Sequence, residues 1–332
     1  ARAAANFEHV PTGQPGPAVG PPQREHGALA LLVGRQGRGI EEAVALRVGF
    51  GIAACVALRD GGGFVVGGLE SHDDVCAEIC HRTGYEVVSV DYRLAPEHKH
   101  PASFNDCMTA FEWAAEAYDL PVVLAGDSAG GNLAAAVAHQ TRSHTHTQGR
   151  KQERQRSGQA QQPQRLPAVG SVGVHHFSLD FLRRLGGDIT RGSYQTHADA
   201  PMLTLRDLAF YKSIRAGGED FSHDPSFAPL ADTDFADLPT TIVITAECDP
   251  LSSDGEAYRD RILAAGGKVW WHEEAGLVHG YLRARHTVGR ARESFSRIVE
   301  SIRALGRREW THQLHAPVNP EKIRQSLSSV PV

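Results

Sequence analysis

A serine in a glycine-rich turn is the residue of this chain best suited to nucleophilic chemistry. Ser128 lies in Gly126–Gly131 (GDSAGG), which joins the apolar run 122–125 directly to a helix-forming run, 132–140. A strand, a sharp turn and a helix expose such a hydroxyl, and the flanking glycines prevent a Cβ from colliding with neighbouring backbone. The amide of Ala129 and the start of the helix would then favour negative charge beside the serine.

A nucleophilic serine needs a base, and two residues nearer the carboxyl end supply the right groups. Asp249 follows the strand-like run 241–246, and His279 lies in the loop after a second such run, 268–272. An imidazole takes the proton of a serine, and a carboxylate fixes the tautomer of that imidazole and stabilises its cation. Taken singly, Asp249 is also typical of a turn before proline and His279 of a solvated loop.

Three consecutive glycines precede Phe64 and predict a second part of the same site. The amides of Gly62 and Gly63 can approach a ligand closely, because no side chain separates the backbone from it. Taken alone, the run is equally consistent with a flexible turn.

These residues need a scaffold that brings them together, and the alternation of elements predicts one. Strand-like runs at 52–58, 86–90 and 122–125 are separated by helical patterns that begin near Ser71 and Ser103. Strand, helix, strand, helix is typical of a doubly wound, mostly parallel α/β sheet, whose ligands bind at the carboxyl ends of the strands. The glycine run and Ser128 would both lie at that edge.

Helix starts and ends can also be predicted from the sequence. Ser71 with Asp74, Ser103 with Asp106, and Thr204 with Asp207 have the spacing of N-terminal caps. A helix is expected from about residue 254 to 265, and the clearest apolar periodicity, over 288–305, predicts a last helix that ends at Gly306.

The sequence patterns divide the chain into three regions. Residues 1–50 show no sustained period and predict no element, although they could contribute to a cap. Residues 51–306 form the expected catalytic domain, with a Gln- and Arg-rich stretch over 142–168 that predicts a loop and with cap material over 186–222. A strand is expected again over 169–179, and residues 307–332 are expected to be a tail.

Composition excludes several classes of protein. The chain has 332 residues and a net charge of −5, which argues against a nucleic-acid-binding surface. Its five cysteines show no C-x-x-C spacing, and its histidines lack companion ligands, so neither disulfides nor a metal site is predicted. Without a long apolar run or a secretory leader, we expect a soluble, cytoplasmic protein.

In combination, five segments resemble the hormone-sensitive-lipase-like family of bacterial esterases, of the GDSAG type and the α/β-hydrolase fold. The similarity extends over about residues 61–141 and 186–306. The segments are Gly61–Phe64 (GGGF), Asp91–Glu97 (DYRLAPE), Gly126–Asn132 (GDSAGGN), Ala246–Leu251 (AECDPL) and His279–Tyr281 (HGY).

The resemblance implies a role for each candidate residue. Ser128 would be the nucleophile, His279 the general base and acid, and Asp249 the residue that orients the histidine. It further implies a helical cap over the acyl pocket, hydrolysis of short-chain carboxylic esters without a cofactor, and an oxyanion hole formed by the amides of Gly62, Gly63 and Ala129.

The chain departs from the family pattern at three places. Asp60 stands where the family has histidine, and its charge beside the oxyanion predicts slower turnover, which Asp60→His should raise. The pattern is lost over residues 1–59 and 142–185, as an out-of-frame reading of a GC-rich gene would produce; resequencing tests that hypothesis.

The sequence therefore predicts a carboxylic ester hydrolase that acts on a small-molecule ester, with a homodimer as a possible assembly. An amidase or peptidase could use the same three residues. A catalytically impaired esterase and a non-hydrolytic ligand-binding protein of the same fold are two further candidates.

Overall fold

A central β-sheet organises the protein, for which we have a computed structural model. The structure describes residues 29–35, 40–47, 54–58, 62–117, 121–155, 169–177 and 192–309. In these ranges the sheet has eight strands: β1 (Leu29–Arg35), β2 (Ile40–Arg47), β3 (Ala54–Leu58), β4 (Glu86–Val90), β5 (Val122–Ser128), β6 (Val169–Phe177), β7 (Thr241–Cys248) and β8 (Val269–Val278).

The spatial order of the strands is β1-β2-β4-β3-β5-β6-β7-β8. β2 pairs antiparallel with β1 and with β4, and every other pairing is parallel. Consecutive parallel strands are therefore joined by crossovers, and their carboxyl ends meet at one edge of the sheet. The predicted doubly wound, mostly parallel architecture is confirmed.

Helices cover both faces of the sheet. In chain order the described ones are α1 (Asp73–Thr83), α2 (Ala102–Ala117), α3 (Ala129–Gln155), α4 (Ser193–Thr196), α5 (Leu205–Ala216), α6 (Ser252–Ala264) and α7 (Gly289–Gly306). Side chains of α1 and α7 share one apolar cluster, and those of α2, α3, α5 and α6 share the other. Neighbouring β5 residues alternate between them, Val123 with α7 and Leu124 with α3.

Several local predictions are confirmed. Thr204 and Asp207 form a complete capping box at the start of α5. The last helix ends at Gly306, and strands occur where the apolar runs 86–90, 122–125 and 241–246 predict them. Cys76 and Cys107 are buried, one in each apolar cluster.

Two helix starts differ from the prediction. Ser71 does not cap α1: its hydroxyl donates to the carbonyl of Gly68 at 2.7 Å, and the helix begins two residues later. Ser103, the predicted cap of α2, lies inside that helix, which begins at Ala102, and Asp106 forms an ion pair with Arg93 at 2.8 Å. In both places a tertiary or turn contact uses the side chain that the local pattern assigns to a cap.

The two stretches without a clear pattern also contain elements. β1 and β2 lie within residues 1–50, where the sequence predicts no element and at most a part of the cap. β2 joins the sheet by pairing with β4, and β1 pairs with β2 at the edge. Helix α3 continues to Gln155, although the sequence predicts a loop from residue 142. No helix within the described ranges is both long and apolar enough to cross a membrane.

Candidate active site

Ser128 lies at the junction of β5 and α3, as its sequence context predicts. It is the last residue of the strand, Ala129 is the first of the helix, and the backbone of Ser128 has φ +55°. Such a conformation is disfavoured for a residue with a side chain and is held by its surroundings. A Cβ on Gly126 would lie 2.2 Å from the backbone of Gly130, so only glycine allows the strand and helix to meet this closely.

The structure brings Ser128, His279 and Asp249 into one hydrogen-bonded chain. Ser128 Oγ lies 2.9 Å from His279 Nε2, and His279 Nδ1 lies 2.8 Å from Asp249 Oδ2. Residues separated by 151 and 30 positions in sequence therefore meet at the carboxyl edge of the sheet. With the proton of the imidazole on Nδ1, His279 can accept the hydroxyl proton at Nε2 while Asp249 holds the ring.

Loops after β7 and β8 hold the acid and the base. Asp249 is 1% exposed, and its Oδ1 accepts the amide proton of Leu251 at 3.0 Å. Glu247 Oε2 accepts the amide proton of Gly276 at 2.7 Å, which ties the strand before Asp249 to the segment before His279. Asp249, and not its acidic neighbour Glu247, is hydrogen-bonded to the histidine.

The glycine run reaches the same site from the end of β3. Gly62 is buried, and Gly63 has φ +58° with the ring of Tyr211 packed on it; a Cβ there would lie 2.4 Å from Tyr211 Cγ. Phe64 follows with φ +68°. Both glycines line the cavity that contains Ser128 and Ala129, whereas Asp60 and Gly61 lie outside the described residues.

A cavity of about 100 Å³ lies above Ser128. Its floor is formed by the glycine loop, the serine turn and the histidine loop, and its roof belongs to the segment between β6 and β7 that carries α4 and α5. The predicted cap range 186–222 is described from residue 192 onward. The roof residues are Met202, Leu203, Leu208 and Tyr211.

Sequence reasoning missed a histidine next to the serine turn. His72 is 6% exposed, and its Nε2 lies 3.3 Å from Asp127 Oδ2, one residue before Ser128. Nδ1 of the same ring lies 3.1 Å from the hydroxyl of Ser71. No local spacing connects residues 72 and 127, because only the folded chain brings the start of α1 next to the end of β5. Among the described residues no group of three or more His, Cys, Asp or Glu could hold a metal ion.

Comparison with known proteins places this site in a family. A family model described as alpha/beta hydrolase fold matches residues 59–283. The chain belongs to the α/β-hydrolase family. It is 35% identical over 254 residues to the esterase LipI of Mycobacterium tuberculosis, covering 74% of this chain and 71% of that protein. The family match and this similarity together identify the chain as a hormone-sensitive-lipase-like hydrolase of the carboxylesterase class.

Two further relatives agree. An ethyl acetate hydrolase of Pseudomonas putida is 28% identical over 250 residues, covering 73% of this chain and 70% of that enzyme. The solved structure of an esterase from Pyrobaculum calidifontis is 30% identical and superposes with a TM-score of 0.67 over 84% of this chain and 85% of its own. The fold and the family predicted from the sequence are thus confirmed.

Proposed function

We propose that this chain hydrolyses short-chain carboxylic esters through an acyl-enzyme formed on Ser128. The observation that carries the proposal is the chain of two hydrogen bonds, 2.9 Å and 2.8 Å long, that links Ser128, His279 and Asp249 beneath the cavity. A hydroxyl so placed can lose its proton to the imidazole as it attacks a carbonyl carbon.

Acylation follows from this geometry. Ser128 Oγ bonds to the carbonyl carbon while its proton passes to His279 Nε2, and the carbonyl oxygen becomes an oxyanion that the amides of Gly62, Gly63 and Ala129 stabilise. His279 then gives its proton to the alcohol oxygen as the carbon–oxygen bond breaks. Asp249 stays ionised and keeps accepting the Nδ1 proton throughout.

Deacylation repeats the same steps with water. His279 removes a proton from a water molecule as its oxygen attacks the acyl carbon, and the oxyanion forms at the same amides. The proton returns to Ser128 Oγ when its bond to the acyl group breaks, and the carboxylic acid leaves. The enzyme ends each cycle in its starting protonation state, and no atom changes its oxidation state in either half of the reaction.

The size of the cavity supports the preference for short acyl chains. At about 100 Å³ it is well below the roughly 300–1,000 Å³ of sites for drug-sized ligands. Roof side chains from the cap are mainly apolar and would contact the acyl chain, while the polar groups lie at the floor. The ethyl acetate hydrolase among its relatives acts, by its name, on an ester of this size.

Hydrolysis of p-nitrophenyl acetate with stopped-flow detection tests the proposal. We expect a burst of nitrophenol equal to the enzyme concentration, and a loss of at least about 10⁴-fold in kcat for Ser128→Ala. Ser89→Ala is the matched control, because Ser89 is a serine in β4 as buried as Ser128, both 8% exposed. It should retain the parent's kcat.

Other results would point elsewhere. Turnover of anilides at rates comparable to those of esters would make the chain an amidase. Binding of esters without a burst would favour a ligand-binding protein, and a burst followed by very slow turnover would favour an impaired esterase.

For Asp249→Asn we expect a loss of about 10³- to 10⁴-fold in kcat, since it removes the group that fixes the histidine tautomer.

A further inference from the structure

The cap helix α5 contacts the glycine loop at two consecutive loop residues. Tyr211 packs on Gly63, and Arg215, four residues later on the same face of the helix, packs on Phe64. The carbon at the centre of the Arg215 guanidinium lies 3.6 Å from the centroid of the Phe64 ring. The cap therefore holds the loop from outside as well as closing the cavity.

The surroundings of Arg215 are unusual for a buried cation. The side chain is 1% exposed and lies over two aromatic rings, with the Phe227 centroid 4.2 Å away. Its Nη1 donates to Asn132 Oδ1 at 3.3 Å and to the carbonyl of Phe227 at 3.2 Å. Its Nε and Nη2 have no hydrogen-bond partner within the described part of the chain, and Asp224, whose charge acts on Arg215 from a distance, is bonded to His100 instead.

Such an arrangement is costly for stability. Burial lowers the pKa of Arg215 to about 9, although the guanidinium remains charged at neutral pH. A buried charge with unmet donors destabilises a fold relative to an apolar side chain of similar size. A purely structural role would be served better by methionine or leucine, so the contacts of the guanidinium require another explanation.

Those contacts reach both halves of the predicted oxyanion hole. Phe64 directly follows Gly63 and has φ +68°, a conformation that a side-chain-bearing residue adopts only when its neighbours hold it. The backbone of Phe64 is restrained on its other side by the amide of Ala95, which donates to the Phe64 carbonyl at 2.9 Å. Asn132 lies in the first turn of α3, the helix whose first amide is that of Ala129.

We propose that Arg215 is a positioning residue of this enzyme: its guanidinium fixes Phe64 and the start of α3 so that the amides of Gly63 and Ala129 point at the same oxyanion. The proposal rests on the function proposed above, because it assumes that the oxyanion forms at these amides. Arg215 does not touch the substrate, since it lies behind Phe64 and outside the cavity lining.

Kinetics of Arg215→Met test the proposal. Methionine fills much of the space but cannot stack as a planar cation over two rings. With p-nitrophenyl acetate we expect kcat to fall about 10- to 100-fold and KM to stay within twofold of the parent, because the amides act on the transition state. The inhibition constant of a trifluoromethyl ketone, whose adduct with serine is an oxyanion, should weaken by the same factor.

The chain offers a matched control. Arg261, in α6, also lies over a phenylalanine ring, 4.7 Å from the Phe235 centroid, and donates to the carbonyl of Asp232 at 2.7 Å. These contacts join α6 to the segment 232–235 and not to the glycine loop, so Arg261→Met should keep the parent's kcat and inhibition constant. An equal loss of kcat in this control would overturn the proposal, since the effect would then belong to any lost arginine–aromatic contact.

Phe64→Leu provides a second approach to the same contact. It should lower kcat by a similar factor, and the double variant with Arg215→Met should lose little more than either single variant, because both remove one interaction. Independent, multiplicative losses would overturn the proposal. If Arg215→Met does not fold, Arg215→Lys replaces it: a lysine variant with the parent's kcat overturns the stacking argument, and one with lowered kcat and unchanged KM supports it.

The results separate this inference from the proposed function. If Ser128→Ala keeps its activity, the serine mechanism fails whatever Arg215 does. If Ser128→Ala is inactive, the parent shows its burst and folded Arg215→Met has a kcat within twofold of the parent, only the positioning role fails.

Discussion

Two regions of the molecule each bury an arginine beside phenylalanine, on opposite faces of the sheet. On the α7 face, Arg285 is 3% exposed, donates to Asp74 at 2.6 Å and to Glu78 at 3.0 Å, and lies 5.2 Å from the Phe295 ring centroid. On the cap face, Arg215 has two rings and two carbonyl oxygens but, among the described residues, no hydrogen-bonded carboxylate.

From this difference we expect Arg285 to contribute mainly to the stability of the fold and Arg215 mainly to the position of the glycine loop. Two carboxylates compensate the buried charge of Arg285, so that contact can fasten α1 to the segment before α7. Arg215 lacks this compensation and instead touches the loop and the helix that line the candidate site. We therefore expect the same substitution, arginine to methionine, to act on unfolding at one position and on turnover at the other.

The largest effect expected is on stability, at the paired arginine. Arg285→Met should lower the free energy of unfolding by about 2 to 3 kcal/mol, because the buried guanidinium loses its charge-assisted hydrogen bonds to Asp74 and Glu78, although Glu78 keeps its contact with Arg82. Arg215→Met should change it by less than about 1 kcal/mol, because the variant loses ring contacts but also removes unmet donors. Urea unfolding measures both. A large loss of kcat in folded Arg285→Met would abolish the distinction.

A smaller effect concerns pH, because the cap face also buries a neutral histidine. His100 packs against Phe227, and its Nε2 lies 3.0 Å from Asp224 Oδ2. Burial and then the charge of Arg215 lower the pKa of His100 to about 4, against the opposing effect of Asp224. Below about pH 6.5 the unfolded chain takes up a proton here that the folded chain does not.

Stability on the cap face should therefore fall as the pH decreases from about 6.5 to 4, by about 2 kcal/mol. His100→Gln should make the profile of unfolding free energy shallower in that window, although not flat, because burial also lowers the pKa of His139. Glu274, which is bonded to Arg297 of α7, should behave differently from His100. Burial raises the pKa of Glu274, but hydrogen bonds from His272 and Arg297 outweigh burial and lower this pKa to about 2. Glu274→Gln should change the profile only below about pH 4.5. If the parent and His100→Gln had equal slopes between about pH 4 and 6.5, the loss of stability in that range could not be assigned to His100.

The smallest effect is expected at the start of α5, the helix that carries Arg215. Thr204→Ala removes the hydroxyl that accepts the Asp207 amide at 3.1 Å and should cost about 1 kcal/mol of unfolding free energy. Ser213→Ala, at an exposed hydroxyl of the same helix, should cost less than about 0.5 kcal/mol. Because Arg215 lies at the other end of α5, kcat should change less than twofold in both. A larger loss in Thr204→Ala would show that the placement of Arg215 depends on the whole helix.

Local patterns were sufficient to predict the elements nearest the site. The turn at Ser128 is defined by residues adjacent to it in sequence. Glycines allow the strand and the helix to approach closely, and an apolar run precedes the turn. The Thr204 capping box likewise needs only residues three apart. Asp249 and His279 could be placed because each follows a strand of the same parallel sheet, whose carboxyl ends share one edge.

Contacts between distant segments could not be predicted in this way. In sequence, Arg215 is a basic residue in the last turn of a helix, where it is typical of a side chain that complements the helix dipole. Its partners lie at residues 64, 132 and 227, and no spacing connects them. The same holds for Arg285 and for β2, which pairs with the distant strand β4.

The positive φ of Ser128 has a consequence for how this protein folds. An isolated chain disfavours that conformation, so the turn is held in it only when β5 and α3 are both packed in place. A partly folded chain with most of its helices formed therefore lacks the alignment of Ser128 with His279 on which the proposed mechanism depends. Recovery of ester hydrolysis during refolding marks the completion of tertiary packing, and activity is a stricter measure of the native state than circular dichroism.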